Sequence, residues 1–160
     1  MKALGLQAYI QPIFIDADMN IIAERVGEAH AKECYNWKAM EDLGIRVSGG
    51  SDCPVELPDV MKGIQCAVTR TTVKDHVGPY LPEQALDIKQ ALDSFTAEGA
   101  YASFEENVKG RIAPGMLADF VILGANPFET SPEELARIPV EATYVDGVCR
   151  YSIETEGKQQ

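Results

Sequence analysis

Apolar and polar positions alternate between two rhythms along this chain, and the rhythm identifies most elements. Ala8-Tyr9-Ile10 is the centre of a short apolar run within 4–15, and Pro12 marks its exit, so a strand is predicted there. Asp16 to Asn20 is polar and turn-like. Ile22, Val26 and Ala29 then recur at helical spacing over 21–34, with Gly27 as a weak point. Asn36 is placed to cap a second short helix over 37–43, and Gly44 ends it where a left-handed residue is wanted. Ile45 to Ser48 reads as the next strand. Strand, helical connection and strand make a βαβ unit, which calls for a parallel pair.

Gly49 and Gly50 let the chain turn, and Asp59 can cap a helix over 60–69 with Ile64 and Ala67 on its apolar side. The segment 71–81 has no clear period. Pro82 is predicted to open one long helix, because Ala85, Ile88, Leu92, Phe95 and Ala102 fall on one face; Gly99 within it suggests close packing. The character changes at Gly110. Phe120 to Leu123 reads as a strand, and Ser131 as the cap of a single turn beginning at Pro132. Val140–Tyr144 and Val148–Ser152 flank Asp146-Gly147, a strong hairpin signal. Residues 154–160 read as a frayed polar tail.

Composition narrows the classes. The chain has 160 residues, 46% hydrophobic and 24% charged, which suits a folded domain with a real core. A net charge of -11 repels phosphate backbones, so nucleic acid is not an expected partner. No apolar run is long enough to span a bilayer, so no membrane partner is expected either. The N-terminal stretch is a poor signal peptide. Cys34, Cys53, Cys66 and Cys149 form no C-x-x-C pair and match no zinc-finger spacing, which suggests a reducing, cytoplasmic location.

The candidate chemistry lies in Gly49-Gly50-Ser51-Asp52-Cys53-Pro54, just past the second strand. Loops at the carboxyl ends of parallel strands collect ligands and catalytic groups. Taken alone, these residues read first as loop punctuation, with an Asp52 that binds a metal, takes a proton or holds a substrate hydroxyl as the alternative. Arg70 reads first as a cation favourable at a helix C-terminus. His30 is placed on a helix face and His76 in a loop, both as ordinary surface positions.

Three stretches resemble the amidohydrolase-3 family. They are Arg25-Val26-Gly27-Glu28-Ala29 leading to Tyr35-Asn36-Trp37, then Gly50-Ser51-Asp52-Cys53-Pro54-Val55-Glu56 with 63–70, and Gly110–Gly115 with 118–123. The closing 145–149 is similar too. The resemblance implies an α/β fold: the C-terminal portion of a TIM-type (β/α)8 barrel, with its last two parallel strands and their helices, plus the C-terminal strands of a small β appendage. It implies a barrel segment over 1–109, a β element over 110–153 and a polar tail over 154–160.

The same resemblance implies a metal-dependent hydrolase acting on a non-peptide C–N bond of a small amide-type substrate. Asp52 is the implied catalytic residue and a partial metal ligand, and Arg70 is implied near the substrate. The implied cofactor is a divalent metal, with zinc expected, held in the full-length protein. The family's His-x-His pair and its mid-barrel ligands have no counterpart here, so this chain is expected to be a fragment, inactive alone, that binds no metal tightly. Its expected partners are the missing N-terminal part of the barrel or a second copy of itself. The alternative is a non-catalytic, self-associating α/β module derived from the same fold. A small acidic binding domain unrelated to hydrolases ranks third.

Overall fold

The two N-terminal apolar runs pair as the βαβ pattern requires. In the computed structural model, which describes residues 1–156, strand β1 (Ala8–Ile10) runs parallel to β2 (Val47–Gly49), with Ala8 opposite Val47 and Ile10 opposite Gly49. Ala8 and Ile10 turn inward and Tyr9 outward, the two-residue alternation of a half-covered sheet. This sheet has two strands, so each keeps an open edge.

The connection between them is more broken than the sequence suggests. A proline-led 3-10 turn (Pro12–Phe14) runs into α1 (Ile15–Asp18). The helix predicted over 21–34 divides into α2 (Ile22–Val26) and α3 (Glu28–Ala31), because Gly27 sits at φ +80°, a conformation that ends a helix. Helix α4 (Trp37–Asp42) follows, and Gly44 closes it at φ +70° as expected. Asn36 does not cap α4: its side-chain oxygen is buried and takes no hydrogen bond among the described residues.

Helix α5 (Val60–Thr69) forms as predicted. Asp59 Oδ1 accepts from the Lys62 amide at 3.3 Å, and Ile64, Cys66 and Ala67 are fully buried. The long helix expected from Pro82 does not form. Pro82 opens only a 3-10 turn (Pro82–Gln84), and α6 (Ile88–Ser94) starts later, at a capping box between Asp87 and Gln90. It stops before Thr96, whose hydroxyl donates back to the Leu92 carbonyl at 2.8 Å, and α7 (Ala97–Ala102) resumes beyond. Of the spaced apolar residues, Ile88 and Leu92 lie on α6 and Phe95 follows it, all packed against the core, whereas Ala85 precedes both helices and α7 buries Ala97 and Ala100.

Beyond Gly110 the chain forms a three-stranded antiparallel sheet in the order β3 (Phe120–Leu123), β4 (Val140–Val145), β5 (Val148–Ser152). Asp146 and Gly147 both have positive φ, as a tight hairpin requires, and Asp119 Oδ1 accepts from the Asp146 amide at 2.7 Å. Ser131 bonds the Glu133 carboxylate rather than a backbone amide, and the following turn is a 3-10 helix, Pro132–Arg137. That turn joins the two halves. Leu135 is buried in the same core as Ile15, Trp37, Val47 and Ile64, and Gln65 Oε1 accepts from the Ala136 amide at 2.9 Å. The predicted tail begins as a helical turn, α8 (Ile153–Glu156), and its last four residues lie outside the described ones.

Candidate functional site

The loop after β2 starts as a continuation of the ladder. The Gly50 amide donates to the Ile10 carbonyl at 2.9 Å, so β1 and β2 release their chains at one level. The chain then turns: Asp52 adopts φ +54° and its carbonyl accepts from the Val55 amide at 2.9 Å. A non-glycine residue in this region is uncommon and sits where the surroundings require it. The Asp52 side chain is exposed, and its carboxylate takes no hydrogen bond and no ion pair among the described residues. Asp52 therefore stands at the carboxyl end of a parallel strand pair with both oxygens free.

A cavity of about 240 Å³ opens beside it, lined by Gly49, Gly50, Ser51 and Asp59 with Phe95 behind them. Two glycines make room for that ring. A Cβ at Gly49 or at Gly63 would fall 2.8 Å from Phe95. A larger cavity, about 800 Å³, lies elsewhere, between α5, α6 and the three-stranded sheet, and Asp52 does not line it.

Arg70, implied near a substrate, is completely buried at 0% exposure. It ends α5 at φ +61°, and its side chain turns inward. Nε donates to the Tyr80 carbonyl at 2.8 Å and one terminal nitrogen to the Tyr35 carbonyl at 3.0 Å. The guanidinium lies over the Trp37 ring at 4.3 Å, and its other terminal nitrogen is buried without a partner among the described residues. Burial pushes Arg70 down to about 10, which leaves it charged at neutral pH. The structure thus separates the two candidate residues: Asp52 faces solvent and Arg70 ties the interior of the adjoining loops. His30 and His76 are both exposed, and His30 sits 3.9 Å from an equally exposed Glu33.

A further cluster escaped the sequence reading. Tyr35, at φ +57°, donates its hydroxyl to Asp18 Oδ2 at 2.5 Å. Burial and the Asp18 carboxylate both push the Tyr35 phenol up, so it stays a donor. The two residues are 17 apart and no motif links them; Asp18 looked like part of a polar turn.

The donors available for a metal are few. Among the described residues no three His, Cys, Asp or Glu side chains gather closely enough to hold an ion, whereas catalytic zinc uses three protein ligands and an open position. Asp52 stands apart from any such group among the described residues.

The model of the Amidohydrolase family matches residues 1–151. A Bacillus subtilis (strain 168) protein named as an amidohydrolase, YtcJ, is 33% identical over 143 residues, covering 89% of this chain and 27% of its own length. The N-substituted formamide deformylase of Arthrobacter pascens is 34% identical over 114 residues, 71% of this chain and 21% of that protein. Among solved structures, an uncharacterized metal-dependent hydrolase from Pyrococcus horikoshii OT3 superposes with a TM-score of 0.71 at 34% identity, over 82% of this chain and 26% of its own. The chain spans about a quarter of the length of the proteins it matches.

Proposed function

Because the chain belongs to the amidohydrolase family, we propose that it supplies the C-terminal part of a metal-dependent hydrolase that cleaves a non-peptide C–N bond of amide type. The observation that carries this reading is the free Asp52 carboxylate at the carboxyl end of the β1–β2 pair. In the proposed reaction a water oxygen bonds to the amide carbon as the C–N bond breaks. Asp52 takes the water proton at a carboxylate oxygen and returns it to the leaving nitrogen, so an acid and an amine are formed. A divalent ion, zinc by its preference for such sites, would make that water acidic. Its remaining ligands are proposed to lie in the part of the relatives' length that this chain does not span, and with them the rest of the barrel.

The name of the Arthrobacter pascens relative makes N-substituted formamides the first substrates to try. The four free cysteines support a reducing, cytoplasmic location. The test is the complete reading frame around this chain, assayed for amine release from an N-substituted formamide. Asp52→Asn should lower turnover by about 10²- to 10⁴-fold, the usual worth of a positioned base, while thermal unfolding stays unchanged. Equal turnover in the variant removes Asp52 from the mechanism. The 160-residue chain alone should bind zinc weakly in calorimetry. A stoichiometric micromolar site would show that the metal donors are already present in it.

A further inference from the structure

We propose that the cavity beside α2 is a binding site for a small zwitterion, an α-amino acid with a branched apolar side chain. The cavity measures about 510 Å³, within the range of small-molecule sites. Ile22, Arg25 and Val26 stand three and four residues apart on α2, so they share one helix face, and Ile21 extends that face at the helix start. Asp18 and Tyr35 line the same cavity.

The charges carry the argument. Asp18 and Arg25 line the same space, yet they form no ion pair with each other. Asp18 Oδ2 is held by the Tyr35 hydroxyl, and its second oxygen has no protein partner among the described residues. The Arg25 side chain likewise has no hydrogen bond or ion pair among the described residues, its backbone amide alone donating to the Ile21 carbonyl at 3.0 Å. One ligand carrying both charges satisfies both groups. Its ammonium donates to the free Asp18 oxygen, its carboxylate accepts from the Arg25 guanidinium, and its side chain lies on Ile21, Ile22 and Val26. A ligand with only one charge leaves the other group unmatched.

The acidic side of the cavity is built to hold its shape. Tyr35 is fixed from behind by buried Arg70, which donates to its carbonyl at 3.0 Å, and the ring packs edge-on to Trp37 at 5.6 Å. A carboxylate held by a rigid phenol meets an ammonium at little cost in ordering. The site uses neither Asp52 nor its loop, so it stands whether or not the hydrolytic reading does.

The test is a titration of the ¹⁵N-labelled chain with L-leucine, isoamylamine and 4-methylpentanoate, followed by amide chemical shifts. L-leucine should give saturable shifts at residues 18–26 and 34–35, with affinity about tenfold or more above either singly charged analogue, since each charge-assisted bond is worth about that factor. Arg25→Gln should weaken L-leucine by about tenfold and leave isoamylamine unchanged. Asp18→Asn should weaken L-leucine and leave 4-methylpentanoate unchanged. Arg25 is exposed, so Arg25→Gln gives a reading even where Asp18→Asn misfolds. Absence of saturable shifts with L-leucine, isoamylamine binding as tightly as L-leucine, or unchanged L-leucine affinity in Arg25→Gln would each overturn the proposal.

Discussion

The Arg70 guanidinium lies over the Trp37 ring, its central carbon 4.3 Å from the ring centroid, and no carboxylate forms an ion pair with it among the described residues. Its charge is balanced by carbonyl dipoles and a ring face. Three segments meet at this one side chain: the end of α5, the turn before α4, and the loop carrying Tyr80. Arg70 is therefore a tie between loops.

Removing that tie should be costly. Arg70→Ala leaves the Tyr35 and Tyr80 carbonyls without their donor and opens a hole against Trp37, an expected loss of about 3 kcal/mol. Arg70→Lys should lose nearly as much. A single ammonium cannot reach both carbonyls as the fork does, nor stack flat on the indole. Urea unfolding of the three proteins checks this, read as a fall in midpoint at constant slope. A lysine variant as stable as the parent would mean that charge alone is needed.

Phe95 should be equally sensitive through its glycines. A Cβ at Gly49 would stand 2.8 Å from the ring and 3.0 Å from Ser94 Oγ, and Gly49 is the last residue of β2 before the loop that carries Asp52. Gly49→Ala should destabilise by about 1–3 kcal/mol, the usual cost of overpacking. Phe95→Leu on its own opens a small void, but combined with Gly49→Ala it should recover part of that loss. The double-mutant cycle is then non-additive by about 1 kcal/mol. Additive losses would show that the two residues do not press on each other.

These contacts show which parts of the molecule were readable in the chain. Ala8, Val47, Ile64 and the Asp146-Gly147 turn announce their elements because burial period and turn chemistry act locally. The place of Asp52 just past the second strand was legible, but not the turn itself: Gly49 belongs to β2, and the left-handed residue is Asp52 rather than a glycine. Arg70 was legible as a residue of interest and misleading as to place. Its position at a helix end suggested a cation that favours the helix C-terminus, and only the Tyr35, Trp37 and Tyr80 partners, distant in sequence, draw it inside. The Asp18–Tyr35 bond was illegible for the same reason. The break at Thr96 had a local cause, a threonine hydroxyl bonding back to Leu92, but the apolar spacing continued through it and masked the signal.

Cys66 gives a prediction with a defined sign. It is fully buried in α5 and its thiol contacts the Thr71 carbonyl at 3.6 Å. Burial, with the Asp16 carboxylate adding to it, pushes the thiol up to about 12. In the unfolded chain a cysteine ionises near about 8.5. Above that pH the unfolded state has lost a proton that the folded state still holds, so the folded state binds more protons and stability falls as pH rises. The loss should run from about pH 8.5 towards about 12 and be absent below it. Cys66→Ala should flatten this part of the curve and leave the alkaline contribution of Tyr35 in place, because that phenol is also pushed up but ionises later when unfolded. The same burial predicts selective chemistry. Iodoacetamide at mildly alkaline pH should modify exposed Cys53 and Cys149 in the native chain and reach Cys66 only after unfolding. Native labelling of Cys66 at the rate of the exposed pair would mean that α5 opens locally at that site, and the alkaline slope would then belong to other groups.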